Sequence, residues 1–217
     1  SKGDPDRIDS EHNMENKKAL LAQKLKALHP ERLKMVLGFD GFVDEIIHPV
    51  DKRLSADSFT RIETIAAFAS RLAKASGLST NVELVPVAKK IGGNGPIMCN
   101  ALARHGSAVT YIGALGEPSI HGVFKMPDNV TLHSIADSGH TDALEFQDGK
   151  LLFGKMHSLN DVTYARLVKM VGEAELVRML SEADLFASVN WSMLPAMTMV
   201  WNSMLQNLLP KMPKREK

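Results

Sequence analysis

Between Leu33 and Gly116 the chain alternates short β-prone runs with helical patterns, joined by turns of a few residues. This alternation limits the fold more than any other feature. A strand-helix-strand order with tight turns builds parallel strands covered by helices. Leu33 to Phe39 reads as the first strand, and Phe42 to Val50 continues in β-prone residues after a break at Gly41. Asp57 to Ala75 reads as a helix with Phe59, Ile62, Ile65, Ala66, Ala69 and Leu72 on one stripe. Asp57 and Ser58 are its expected caps and Gly77 its expected stop. Val82 to Val87 returns to strand, and Gly92-Gly93-Asn94-Gly95 is a turn. Pro96 to His105 follows as a helix closed by Gly106, and Ala108 to Ile112 as a further strand.

On either side of this unit the pattern changes. Asn13 to His29 is rich in Lys, Ala and Leu and stops at Pro30, so residues 1–32 read as an N-terminal helical extension and 33–217 as one α/β domain. Val130 to Ile135, Ala143 to Gln147 and Leu151 to Gly154 are three short strand candidates in a row, the last two joined by the hairpin signal Asp148-Gly149. Residues 130–155 therefore read as a small antiparallel insert, shaped like a lid. Helices are expected from Asp161 to Met170 and from Glu173 to Ala183. A buried strand follows from Leu185 to Val189, then a helix presenting Met197, Val200, Trp201, Met204, Leu205 and Leu208 on one face.

Composition excludes several function classes. The 26 Lys and Arg residues against 25 Asp and Glu give a net charge of +1, which supplies no field for nucleic acid or anionic lipid. The stretch from Leu185 to Pro210 lacks acidic and basic residues, yet its interior holds Asn190, Pro195, Asn202, Gln206 and Asn207, which lipid would leave unsatisfied, so no membrane span is expected. The single cysteine, Cys99, cannot form an internal disulfide; it reads as a small core residue and suits a reducing, cytoplasmic setting. Eight histidines show neither HExxH nor paired ligand spacing, so no metal site is expected. No serine sits in GxSxG.

Two constellations carry chemistry. Gly92-Gly93-Asn94-Gly95, between a strand and a helix, lets backbone N–H groups approach a ligand at a helix N-terminus. It is not the dinucleotide fingerprint, because GxGxxG begun at Gly93 meets Met98 at the third glycine, and no Gly-Lys-Ser/Thr follows. A tight strand-to-helix turn is the plainer account of the glycines by themselves. The second constellation is Gly38-Phe39-Asp40-Gly41-Phe42-Val43-Asp44, at the end of the first strand. Ligands bind at the C-terminal edge of such sheets, and an ionised carboxylate accepts two hydrogen bonds from vicinal hydroxyls. Asp40 and Asp44, four apart across Gly41, could face one pocket; the plainer account of either is a turn residue at a solvated strand end.

Together these residues resemble the N-terminal two-thirds of a PfkB-type carbohydrate kinase, the ribokinase-like family. The likeness rests on Val36-Leu37-Gly38 through Asp44-Glu45-Ile46, and on Ile91-Gly92-Gly93-Asn94-Gly95 through Ala101-Leu102-Ala103-Arg104-His105-Gly106. It continues through Ala108 to Gly116, and in kind through the insert from Val130 to Gly154. The resemblance implies a mostly parallel sheet flanked by helices with a β-lid. It implies ATP-dependent phosphorylation of a hydroxyl on a sugar or nucleoside-like acceptor, with Mg2+ as cofactor. It assigns Asp44 as the sugar-binding aspartate, Gly92 and Gly93 as the glycine pair beneath the sugar, Asn94 as the polar residue after it, and Asn190 as a further polar contact. Asp40 has no family counterpart and is proposed only from its place in the strand-end turn.

Two departures stand out. Many members carry Asn four residues after the second glycine, where this chain has Ile97. The family's Asp-Thr-x-Gly-Ala-Gly-Asp signature, which carries the general base and the anion hole, does not occur here. The resemblance therefore places that base beyond Lys217. The C-terminal nucleotide-binding part is expected to be missing, leaving the acceptor-binding half without turnover of its own. A non-catalytic sugar- or nucleoside-binding module lacking the ATP site is the alternative, and a nucleotide-binding oxidoreductase domain is disfavoured by the glycine pattern. Pairing of lid strands across a homodimer is a further expectation, since sheet edges tend to be covered.

Overall fold

The computed structural model describes residues 14, 16–24, 27 and 29–214. Part of the expected N-terminal helix is seen over residues 16–24 (α1), all of it exposed; the rest of the Asn13–His29 span lies partly outside the described residues. Among the described residues no helix is long and apolar enough to cross a membrane.

The main sheet is built from β1 (Lys34–Phe39), β5 (Ala108–Ala114), β6 (Val130–Ala136) and β9 (Leu185–Ser188), in the order β6-β5-β1-β9 with every neighbour parallel. A parallel sheet is covered on both faces, so its strands read as near-continuous apolar runs. Met35-Val36-Leu37 shows this: Val36 and Ile112 join a cluster with Leu167, Leu176, Met197 and Val200, while Met35, Leu37, Val109 and Tyr111 pack with Cys99 and Ala103. The first cluster draws on α4 (Tyr164–Val171), α5 (Glu173–Glu182) and α6 (Met197–Asn207), the second on α3 (Asn94–Arg104). Cys99 is fully buried, as expected of a core residue, and burial pushes its thiol up to about 12.

A second sheet stands beside the first. It joins β2 (Phe42–Arg53), β3 (Phe59–Arg61), β4 (Leu84–Gly92), β7 (Gly139–Glu145) and β8 (Lys150–Lys155). The expected three-strand insert over 130–155 is corrected here. Residues 130–136 form the edge of the parallel sheet, and only β7 and β8 belong to the lid. The lid gains instead the long strand β2 and its antiparallel partner β4, with β2 and β7 parallel. Strand patterning alone does not decide which sheet a strand joins, because both destinations bury it. The hairpin is where Asp148-Gly149 places it, and the Asp148 carboxylate accepts from the Ile65 N–H, 3.0 Å away.

The helix expected from Asp57 to Ala75 splits. Phe59–Arg61 pairs with β2 as β3, and α2 (Ile65–Ala73) starts later, with Thr64 as N-cap accepting from Ala67 N–H at 3.1 Å. Aromatic and β-branched residues favour the pleated surface, and the 3.6-residue count across Phe59 and Ile62 was coincidental. Helix α2 then covers the outer face of the lid, where Ile47, Ile62, Phe68, Leu144 and Phe146 meet.

Candidate functional site

The site forms where the two sheets part. Strand β1 runs into Asp40-Gly41 and leaves the parallel sheet for the lid as β2; β4 returns from the lid at Gly92 and enters α3 through Gly93. Gly93 has φ +90°, a conformation that only glycine adopts cheaply, and a Cβ there would lie 2.8 Å from Asp40 Oδ2. The turn is thus shaped by the aspartate it wraps.

Asp40 is fully buried, and every contact it makes is within the protein. Its carboxylate accepts from the backbone N–H groups of Asn94 and Gly95, both at 2.9 Å, and from the Asn190 side-chain amide at 2.7 Å. The Tyr111 hydroxyl donates to the Asp40 carbonyl oxygen at 2.6 Å and lies 3.1 Å from Oδ1. The carboxylate therefore caps α3 from outside the helix, holding amides that would otherwise be free at a helix N-terminus. Burial raises its proton affinity above the ordinary aspartate value, and the hydrogen bonds from Asn190, Gly95, Tyr111 and Asn94 offset part of that rise.

Asp44 is placed quite differently. It stands on β2 opposite Thr141 of β7 and Lys90 of β4, half-buried, and no described residue forms a hydrogen bond or ion pair with its carboxylate. It lines a cleft of about 230 Å³ with Phe42, Gly93, Asn94, Thr141, Leu152, Asn190 and Met193. The floor comes from the main domain (Gly93, Asn94, Asn190) and the wall from the lid (Asp44, Thr141, Leu152). Gly92 lies directly against the Asp44 carboxylate, where a Cβ would come 2.5 Å from Oδ1. Asn190 adopts the left-handed conformation, φ 58° and ψ 42°, which turns its amide back toward Asp40 at the cleft edge.

Of the six residues proposed from sequence, the structure sets Asp44, Gly93, Asn94 and Asn190 around one cleft, with Gly92 behind Asp44. Asp40 lies beneath the floor with its oxygens already engaged, so the four-residue spacing from Asp44 does not bring both carboxylates into one pocket. Phe42, Thr141, Leu152, Met193 and the supporting Tyr111 were not foreseen from the sequence. A tyrosine in a mostly apolar strand was the one legible signal for Tyr111, because a buried hydroxyl needs a partner.

Comparison with known proteins gives this geometry its family. A ketohexokinase from Haloferax volcanii is 29% identical over 186 residues, covering 83% of this chain and 50% of the relative. The chain thus spans about half the length of the curated relative it matches. Among solved structures, a carbohydrate kinase from Agrobacterium tumefaciens aligns at TM-score 0.47 and 13% identity over 79% of this chain and 50% of its own. A ribokinase from Arabidopsis thaliana, solved with ribose and ATP, aligns at TM-score 0.39 and 12% identity over 72% of this chain and 44% of its own. The model of the prokaryotic ketohexokinase family matches residues 14–215, nearly the whole chain. The chain accordingly belongs to the prokaryotic ketohexokinase family, in agreement with the PfkB-type likeness of its glycine-pair and first-strand motifs.

Proposed function

We propose that this chain carries the acceptor-binding face of an ATP-dependent sugar kinase, and that the acceptor is a ketohexose or a closely similar polyol. The observation that carries the proposal is the Asp44 carboxylate, held on the cleft wall with no hydrogen-bond or ion-pair partner among the described residues. An ionised carboxylate so placed takes two hydroxyl hydrogen bonds, a charge-assisted pair that fixes a sugar's orientation. Asn94 adds a side-chain amide on the opposite side, beside Asn190, whose amide nitrogen already donates to Asp40. The naming of a matched relative as a ketohexokinase supports the substrate class.

The described residues that line this cleft do not fit a triphosphate with Mg2+. No lysine or arginine lines the cleft, and the amides of Asn94 and Gly95 that open α3 are occupied by Asp40. We therefore derive no step through the nucleotide at this cleft. The contribution of this half is positioning: it orients the acceptor hydroxyl so that transfer becomes effectively unimolecular. The same reading includes a cytoplasmic setting, supported by the lone buried cysteine, and a homodimer through the lid, supported by exposed Leu152 and Phe153 on its edge strand β8.

The full-length protein should form ADP in the presence of ketohexoses, with kcat/KM lowered in Asp44→Asn, while the 217-residue chain should bind the sugar without turnover. ADP formation indifferent to sugar, or an Asp44→Asn enzyme equal to wild type, would sink the proposal. Sugar binding by a full-length protein that never turns over ATP would favour the non-catalytic module instead.

A further inference from the structure

Outside the cleft, three side chains able to ligate a metal converge: His121, Asp137 and His140, each partly exposed, with one ligand atom from each lying within 4.8 Å of the others. His121 Nε2 is 3.3 Å from Asp137 Oδ1, and the two imidazole rings meet edge to face with centroids 5.6 Å apart. They come from three separate places: the loop between β5 and β6, the link between β6 and β7, and the second residue of β7. His140 stands opposite Val43, one step from the Asp44–Thr141 pair, so strand alternation puts the cluster on the other face of the lid from the cleft.

The backbone beneath these side chains is tied down. His121 N–H donates to the Leu115 carbonyl at 2.9 Å, Gly116 N–H to the Ala136 carbonyl at 3.1 Å, and Gly139 N–H to the Gly41 carbonyl at 2.9 Å. Asp137 Oδ1 also accepts from the Ser138 N–H at 2.9 Å, which orients the carboxylate. The Ser138 hydroxyl, between Asp137 and His140 in the chain, is buried with no hydrogen-bond partner. An ion pair joins His121 to Asp137 and an edge-to-face ring contact joins His121 to His140, which brings the ligand atoms of all three side chains together.

We propose that His121, Asp137 and His140 form a site for one divalent metal ion of borderline softness, with Zn2+ as its type. Two imidazoles and one carboxylate suit Zn2+ or Co2+, whereas Mg2+ and Ca2+ take oxygen ligands. Zn–N bonds of about 2.0–2.1 Å set neighbouring ligand atoms roughly 3–3.5 Å apart. The His121–Asp137 separation of 3.3 Å already meets that spacing, and side-chain rotation closes the remainder. Histidine spacings of the HExxH kind could not announce this site, because its ligands lie on three segments joined only by the fold. A bound ion would cross-link a loop of the main domain to a lid strand at the point where the two sheets part. The site stands independently of the sugar-kinase reading.

The test is titration of the full 217-residue chain with Co2+, followed by Zn2+, with Mg2+ as control. One equivalent of Co2+ should bind with a visible ligand-field absorption, Zn2+ should displace it and raise Tm, and Mg2+ should do neither. His121→Ala and His140→Ala should each weaken Co2+ binding by roughly 10-fold or more while keeping the wild-type circular dichroism. Absence of stoichiometric Co2+ binding, or binding retained in both variants, overturns the proposal. Should His140→Ala fail to fold, His121→Ala and Asp137→Asn decide the matter, since those side chains are 40% and 46% exposed and their loss costs little packing.

Discussion

The Asp44 carboxylate rests against the Cα of Gly92, so closely that a Cβ at that position would come 2.5 Å from Oδ1 and 2.6 Å from Oδ2. The absence of a side chain at Gly92 is what lets the one unpartnered carboxylate of the cleft hold its position. Gly92→Ala should therefore move Asp44 without unfolding the protein. If Asp44 accepts from a sugar as proposed, losing such a bond, about 1.5–3 kcal/mol for a charged acceptor, corresponds to a rise in Kd of roughly 10- to 150-fold. Calorimetric sugar titration checks this, with Tm measured alongside to show that the fold survives.

Asp40 is a structural residue by its contacts, and its removal should read out in stability. Asp40→Ala strands the amides of Asn94, Gly95 and Asn190 around a small cavity, while the Tyr111 hydroxyl keeps the backbone carbonyl of residue 40 as its acceptor. Buried donors left unmade cost about 1–3 kcal/mol each, with partial relief by water, so a total loss of about 3 kcal/mol or more is expected. Urea unfolding measures it.

The same carboxylate gives stability a specific pH dependence. Its folded-state affinity for a proton is raised above the ordinary aspartate value, chiefly by burial. Just above that ordinary value the native state thus binds more protons than the unfolded one. Stability from this group then falls as pH rises through the window up to its folded value, and levels off beyond. Asp40→Asn removes this contribution. The urea midpoint of wild type minus that of the variant should decrease with rising pH across that window, and a flat difference would contradict it.

Gly95 is closed to larger residues for a related reason. A Cβ there would overlap the Tyr111 hydroxyl and lie 2.5 Å from Asp40 Oδ1. Gly95→Ala should cost about 1–3 kcal/mol through overpacking. Removing the hydroxyl with Tyr111→Phe should recover part of that, giving a coupling of about 0.5–3 kcal/mol in a double-mutant cycle.

Asn190 combines a hydrogen bond with left-handed backbone, and two substitutions separate them. Asn190→Gly loses only the 2.7 Å bond to Asp40, whereas Asn190→Ala also places a Cβ residue at φ 58°. The alanine variant should be less stable than the glycine variant by about 1 kcal/mol. Chemical denaturation of the pair resolves the difference.

Much of this arrangement was legible before any coordinates. The first strand, the helix after the glycine pair, the strand from Ala108 and the Asp148-Gly149 hairpin are local signals and appear close to where they are expected. The strands from Phe42 and from Leu84 instead pair antiparallel in the second sheet rather than joining the parallel one. What could not be read is where local signals leave a choice to the tertiary structure. Val130–Ala136 and Phe42–Arg53 carry equally good strand patterns, yet the first joins the parallel sheet and the second the lid. Phe59 and Ile62 fit a helical stripe, yet pairing with β2 takes Phe59–Arg61 for a strand. At the site, Asp40 and Asp44 have the same chemistry and lie four residues apart. Only the positions of Tyr111, Asn190 and the α3 amides, distant in sequence, make one a buried cap and leave the other open.

The route of the chain between the two sheets has a mechanical meaning. The backbone crosses from one to the other at Asp40-Gly41, at Gly92-Gly93, at Asp137-Ser138 and again after Lys155. Four crossings within one narrow band act less like the pin of a swinging door than like a stiff leaf spring, which flexes about a single line. Asp44 and Thr141 sit on one side of that line, Asn94 and Asn190 on the other. A molecule held by all four would span that line, with lid residues on one side of it and main-domain residues on the other.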